Sequence, residues 1–226
     1  MIIEKLLGKF RGLSLTAKAA IAYTMAGLVT KGLSIITVPI FTRIMTTAEI
    51  GVVNIYHSWA SMLITIISLA LTSGGFMVAM KEYKDTRREY ASSVLTITTL
   101  TSSLVLIIYL CNMQFWNGVL ELSTPLVLLM ILGFFLDPAR EFWLSAQRYA
   151  LKYDAVVKVS LGTAAGATLI SVAAVLLARH YGIQQIVYVR MFSNYAVVYA
   201  IAGILFFSIF INSSEIFTFI DFFTYF

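Results

Sequence analysis

Residues 20–43, AIAYTMAGLVTKGLSIITVPIFTR, put a lysine in the middle of an apolar stretch long enough to cross a bilayer. At ~1.5 Å of rise per residue, Lys31 stands roughly 17 Å from either end, too deep for its ammonium to snorkel to a membrane surface. A lysine at that depth costs about 2.5 to 3.5 kcal/mol on insertion scales, so it needs a carboxylate partner, water or an anionic ligand. Ala20, Thr24, Gly27, Ser34 and Thr42 fall on its side of the helix, which makes that face small and polar. Two readings follow: a lysine paired with an acid that holds helices together, or a cation lining a route for an anion.

Other residues could join either chemistry. Asn54, Ser58, Ser61, Thr65, Ser68 and Thr72 recur at steps of three and four, a second polar stripe. Such hydroxyls either line a wet path or cement helix packing. His57 lies one step off the stripe, where a hydrogen-bonded packing role is the simplest expectation. In DPAREFWLSAQR, Asp137, Glu141 and Arg148 share one helical face, and Arg140 lies close enough to pair with either acid. This cluster reads as a salt-bridged inner end of a span or as a substrate contact. Pro138 cannot donate to the carbonyl of Phe134, which is therefore expected to be free. At the depth of Lys31 no carboxylate is expected.

The elements that must position these groups are membrane helices. Hydrophobic residues make up 60% of the 226, charged residues 12%, and the mean hydropathy is +0.89, values outside the range of an ordinary soluble domain. Apolar runs of about 20 residues suit spanning helices and not the alternating strands of a barrel. One cysteine, Cys111, excludes a disulfide framework and a thiolate metal cluster. No cofactor or metal site is expected. The net charge of +5 does not gather on one face as nucleic-acid binding requires; it sorts by loop instead.

That sorting sets an orientation. Lys5, Lys9, Arg11, Lys18, Lys81, Lys84, Arg87, Arg88, Arg148, Lys152 and Lys158 fall in one set of loops and ends, against Arg43, Arg179 and Arg190 in the other. By the positive-inside rule the N-terminus is cytoplasmic and six spans return the chain to the cytoplasm. The expected layout is a basic tail over 1–18, a six-helix unit over 19–211 and a short tail over 212–226. TRIMTTAEIG and MQFWNGVLELS read as outer loops, with Trp116 at the interface. Gly162 and Gly166 form a small-xxx-small pattern expected to pack against another helix. Arg190 is expected simply to reach the outer interface.

TMAGLVTKGLSIITVPIFTRIMTTAEIGVVN resembles the opening of the bacterial polysaccharide flippases, which share an exporter superfamily with the multidrug and toxin extruders. SGGFMVAMKEYKD is similar to the end of their second span and its basic inner loop, and LSAQRYALKYDAVVKV to their link between spans 4 and 5. The resemblance implies an all-α integral membrane protein with six transmembrane helices, one lobe of a MATE-like exporter fold. It further implies transport of an undecaprenyl-diphosphate-linked oligosaccharide, an O-antigen or capsule repeat unit, across the inner membrane, and no enzymatic activity. Lys31 would then meet the diphosphate, with Thr24, Ser34, Asn54 and Ser58 lining its path, Arg43 at the outer mouth and Arg140 or Arg148 at the inner one.

Partners implied are the lipid-linked oligosaccharide, membrane lipid, and a second lobe or second copy, since such proteins resemble two lobes around a cavity. A chain ending after six spans is expected to be a truncated half that does not transport alone. A drug or ion exporter of the same fold, a membrane enzyme of polysaccharide assembly and an inert structural partner are the alternatives. The enzyme would need an acid, base or nucleophile set that the short loops do not offer.

Overall fold

The computed structural model describes residues 13–68, 76–82 and 87–211. These residues form helices α1 Leu15–Ile44, α2 Thr47–Ile67, α3 Phe76–Glu82, α4 Arg87–Cys111, α5 Met113–Leu120, α6 Thr124–Tyr149, α7 Tyr153–His180 and α8 Ile186–Ile211, with no strand among them. The basic tail up to Gly12, the stretch holding Thr72, Gly74 and Gly75, and the tail after Ile211 lie outside the described residues.

Local chemistry starts several of the helices. The Ser14 side chain accepts from the Ala17 N–H at the start of α1. Thr46 and Glu49 form a reciprocal capping box, with the Thr46 N–H donating to Glu49 Oε2 at 2.7 Å and the Glu49 N–H to Thr46 Oγ1 at 3.3 Å. The loop expected around Glu49 is thereby reduced to Met45 and Thr46. Pro125 sits at the entry of α6, where its missing N–H is harmless.

Among the described residues, five helices are long and apolar enough to cross a membrane, and a sixth span arises if the bent pair of α5 and α6 counts as one. The chain is an all-α membrane protein. The segment read as an outer loop, MQFWNGVLELS, is instead mostly the helix α5, at 88° to α6. Its bend rests on Glu121 in left-handed backbone, φ 54°. Side chains clamp this corner: Tyr109 Oη donates to Asn117 Oδ1 at 2.9 Å, and Asn117 Nδ2 donates to Thr124 Oγ1 at 2.8 Å. Trp116 Nε1 donates to the Ile108 carbonyl, tying α5 to α4.

Helix α8 is the hub, packing on α7, α6 and α2, while α1 lies at an edge against α7 and α4 packs on α6. Tyr188 Oη donates to Ser123 Oγ at 2.9 Å, and Arg190 Nη1 lies 3.3 Å from Met45 Sδ. The starts of α6 and α8 and the α1–α2 turn therefore share one end of the bundle. The core is apolar and centred on α6, with Leu126, Val127, Met130 and Phe134 buried against Val53 and Tyr56 of α2 and Met191 of α8. The glycine pattern in α7 acts at only one of its positions: a β-carbon at Gly166 would lie 3.4 Å from Val197 Cγ1 of α8, while Gly162 is exposed with open space beside it.

Inside a bilayer, backbone groups must find partners within the protein. Helix α6 runs through Pro138, and the carbonyl of Phe134, which Pro138 cannot serve, accepts from Ser102 Oγ of α4 at 3.0 Å. The same hydroxyl lies 2.7 Å from the Thr98 carbonyl, so one proton is shared between two helices. Ser102→Ala should lower stability by about 0.6 to 2 kcal/mol, read as a drop in melting temperature in detergent. Ser103→Ala, which removes a bond within α4 only, should lower it less; equal losses would show that the α4–α6 bond contributes nothing.

Candidate substrate groove

Arg140 is the cation around which this region is built. Its Nε lies 3.1 Å from Asp137 Oδ1 and its Nη2 3.0 Å from Glu141 Oε1, so one guanidinium serves both acids of the cluster. Charge-assisted pairing of this kind makes a charged cluster tolerable at membrane depth. Arg148, expected on the same face, is exposed at the last turn of α6 and joins no ion pair among the described residues.

Two cavities flank α8 and meet Arg140 and Asp137 from opposite sides. The first, about 370 Å³, lies between α1, α7 and α8 and is lined by Thr30 and Ser34, by Ser160, Thr163 and Thr168, by Asn194 and by Arg140. The second, about 210 Å³, lies between α2, α6 and α8 and is lined by His57, Ser61, Gly133, Asp137, Tyr195 and Tyr199. Asn194 and Val198 of α8 face one cavity and Tyr195 and Tyr199 the other. The two are neighbouring cavities, one lined by Arg140 and the other by its ion-pair partner Asp137.

Asp137 and Lys31 are each thirteen residues from the end of the bundle that carries the α1–α2 turn, Lys31 counted from Ile44 and Asp137 from Thr124. Both stand roughly 20 Å in from that end. A carboxylate does therefore reach the depth of Lys31, against the expectation above. The proline that interrupts the cluster does not end the helix, and so Asp137 lies at mid-span.

Lys31 itself is exposed, and among the described residues no carboxylate pairs with it. It lines neither cavity, although Thr30 and Ser34 beside it line the first. The whole face expected to carry it is open: Ala20, Thr24, Gly27, Ser34 and Thr42 are exposed. The hydroxyls there need no water, because Thr24 donates to the Ala20 carbonyl at 2.9 Å and Ser34 to the Thr30 carbonyl at 3.2 Å. Only the ammonium lacks a partner. Asn54 and Ser58 are exposed on α2, and Arg43 is exposed at the last turn of α1. Because α1 packs on α7 and α2 on α8 and α6, the two polar stripes border separate cavities and do not close on one another.

Arg190 lies one turn into α8, near the end of the bundle that carries the α1–α2 turn, and there it has a partner within the protein. Its guanidinium stacks 3.9 Å over the Phe41 ring and points into the bundle, joining α8 to the end of α1. His57 is joined to Tyr195, with 3.3 Å between Nδ1 and Oη. The aromatic group of Tyr56, Tyr195 and Tyr199 was not singled out in the sequence; the i, i+4 pair Tyr195 and Tyr199 was its one visible sign.

Gly133 makes this aromatic wall possible. Tyr199 Oη donates to the Leu129 carbonyl at 3.1 Å by lying directly over Gly133, where a β-carbon would overlap the hydroxyl. Gly133→Ala should displace Tyr199 and cost about 1 to 3 kcal/mol of stability, measured by thermal melting. Gly162→Ala, with open space beside it, should be neutral or slightly stabilising; a neutral Gly133→Ala would contradict the packing described.

No curated protein and no solved structure matches the chain. The pattern of the polysaccharide biosynthesis protein family matches residues 16–225, from the start of α1 to within one residue of the end of the sequence. The chain is a multi-pass membrane protein of the polysaccharide biosynthesis protein family.

Proposed function

We propose that this chain forms one lobe of a carrier that moves an oligosaccharide, joined through a diphosphate to undecaprenol, across the bacterial inner membrane. Its repeat unit would be that of an O-antigen or capsule, and its motion an alternating access between two helix bundles. The N-terminus lies in the cytoplasm in this proposal, which follows the loop charges. The observation that carries it is the pairing of a polar groove with two mid-depth cations, Arg140 within it and Lys31 at its α1 border. A diphosphate entering a membrane loses its water, and charge-assisted contacts to lysine and arginine replace part of that loss.

Position assigns the remaining cations. Arg43 at one end of α1 and Arg148 at the opposite end of the bundle, on α6, are exposed and would attract the same anion at the two mouths. Thr24, Ser34, Asn54 and Ser58 would line its path. The open face of α1 suits a second lobe or a second copy of the chain, which would enclose Lys31 in a wet interior. The role is transport and not catalysis.

One observation favours a second reading, an exporter of drugs or ions: Asp137 places a carboxylate in a mid-membrane cavity. Arg140 already neutralises that carboxylate, which weakens its hold on a second cation.

Complementation of a strain lacking its own carrier tests the proposal. Lys31→Ala should reduce surface polysaccharide at least ~tenfold, the loss of about 1.4 kcal/mol of transition-state stabilisation, at equal protein level. Lys31→Arg should retain most of it. If both variants export normally, the cationic route is wrong; if Asp137→Asn instead abolishes gradient-driven dye efflux, the exporter of small ions or drugs takes its place.

A further inference from the structure

We infer that the cavity between α2, α6 and α8 is a saccharide subsite that takes the sugar ring next to the diphosphate, an inference that rests on the carrier proposed above. At about 210 Å³ the cavity suits one ring-sized polar group and not a chain of them. A sugar ring presents a C–H face and a fringe of hydroxyls that both donate and accept. The cavity offers a match for each.

For the C–H face there are aromatic rings. Tyr195 and Tyr199 stand with centroids 5.0 Å apart and planes 34° from parallel, and Tyr56 backs Tyr195 at 5.4 Å. Such rings bury apolar area while keeping a polar tip for hydrogen bonding. For the hydroxyls there are acceptors and donors. Arg140 engages Oδ1 of Asp137, which leaves Oδ2 to accept. Ser61 donates its proton to the Ser58 carbonyl, so its oxygen accepts. His57 meets Tyr195 through Nδ1 and retains Nε2.

The charges select against other occupants. A phosphate would meet the carboxylate of Asp137 and is better placed in the neighbouring cavity, which Arg140 lines with no acid among its lining residues. A metal or free cation would find a single carboxylate among the lining residues, already paired with Arg140. A neutral polyol meets neither penalty, and a mostly apolar wall with a few convergent polar groups is the usual make-up of a small-molecule site.

The test uses the full chain in lipid nanodiscs and two probes, geranyl diphosphate and the same molecule carrying one N-acetylglucosamine. Wild type should bind the sugar-bearing probe ~tenfold more tightly, about 1.4 kcal/mol. Tyr195→Leu should bring the ratio of the two affinities close to one, while Tyr195→Phe, which keeps the ring, should retain most of it. Ser61→Ala, on an exposed helix face, serves if Tyr195→Leu fails to fold, and should reduce the ratio. If wild type binds both probes equally and in a Lys31-dependent way, the subsite is overturned and the carrier stands. If it binds neither, the carrier proposal fails with it.

Discussion

A charge inside a bilayer must be paired, stacked or wet, and three cations of this chain, Arg140 and Lys31 at mid-depth and Arg190 one turn from the start of α8, meet that demand differently. Arg140 is held by two carboxylates at 3.1 and 3.0 Å. Arg190 lies over the Phe41 ring and against Met45. Lys31 has neither solution within the described residues, and its helix face is open. Arg140, held by its two acids, also lines the cavity between α1, α7 and α8, and Arg190 stabilises the lobe from within. The third is left for something outside it, and an unpaired ammonium at this depth faces water or an anion at far lower cost than acyl chains.

The same demand shapes the uncharged groups. Serines and threonines of α1 donate to carbonyls one turn back, so their helix can face either lipid or water without loss. The carbonyl released by Pro138 is taken by Ser102 from the neighbouring helix. With those needs met locally, α8 can carry two different linings, amide and apolar toward α1 and α7, aromatic toward α2 and α6. Neighbouring residues on one helix thereby build two cavities of opposite character, one bordered by a cation and the other by an acid. Gly133 lets the aromatic side close up, since only a residue without a side chain admits the Tyr199 hydroxyl above it.

What could be read from the chain followed from local rules. The span pattern, the pairing of Arg140 with Asp137 and Glu141, and the freed Phe134 carbonyl all depend on residues within one helical turn of each other. What could not be read depended on which helix lies beside which. The place of Arg190 near a span end was readable, but its partner Phe41 is far away in sequence and adjacent only once α8 packs near the end of α1. Gly162 has the spacing of a packing residue, yet α8 approaches at Gly166 and passes it by. Asp137 looked like the inner end of a span because a charged cluster begins there; the helix continues for more than three further turns, to Tyr149. The aromatic wall unites α2 and α8, and no local pattern could have joined Tyr56 to Tyr195.

The central claim, that the face of α1 around residue 31 is wet, is open to direct measurement. In a Cys111→Ser background, Lys31→Cys would be treated in native membranes with a charged, membrane-impermeant methanethiosulfonate reagent, with Ile36→Cys, another exposed position on the same helix, as the comparison. The account predicts modification of residue 31 at least ~tenfold faster than residue 36, because only a thiol in contact with water ionises and meets a charged reagent. Equal and slow modification at both, with fast labelling of residue 31 by a lipid-soluble maleimide alone, would contradict it.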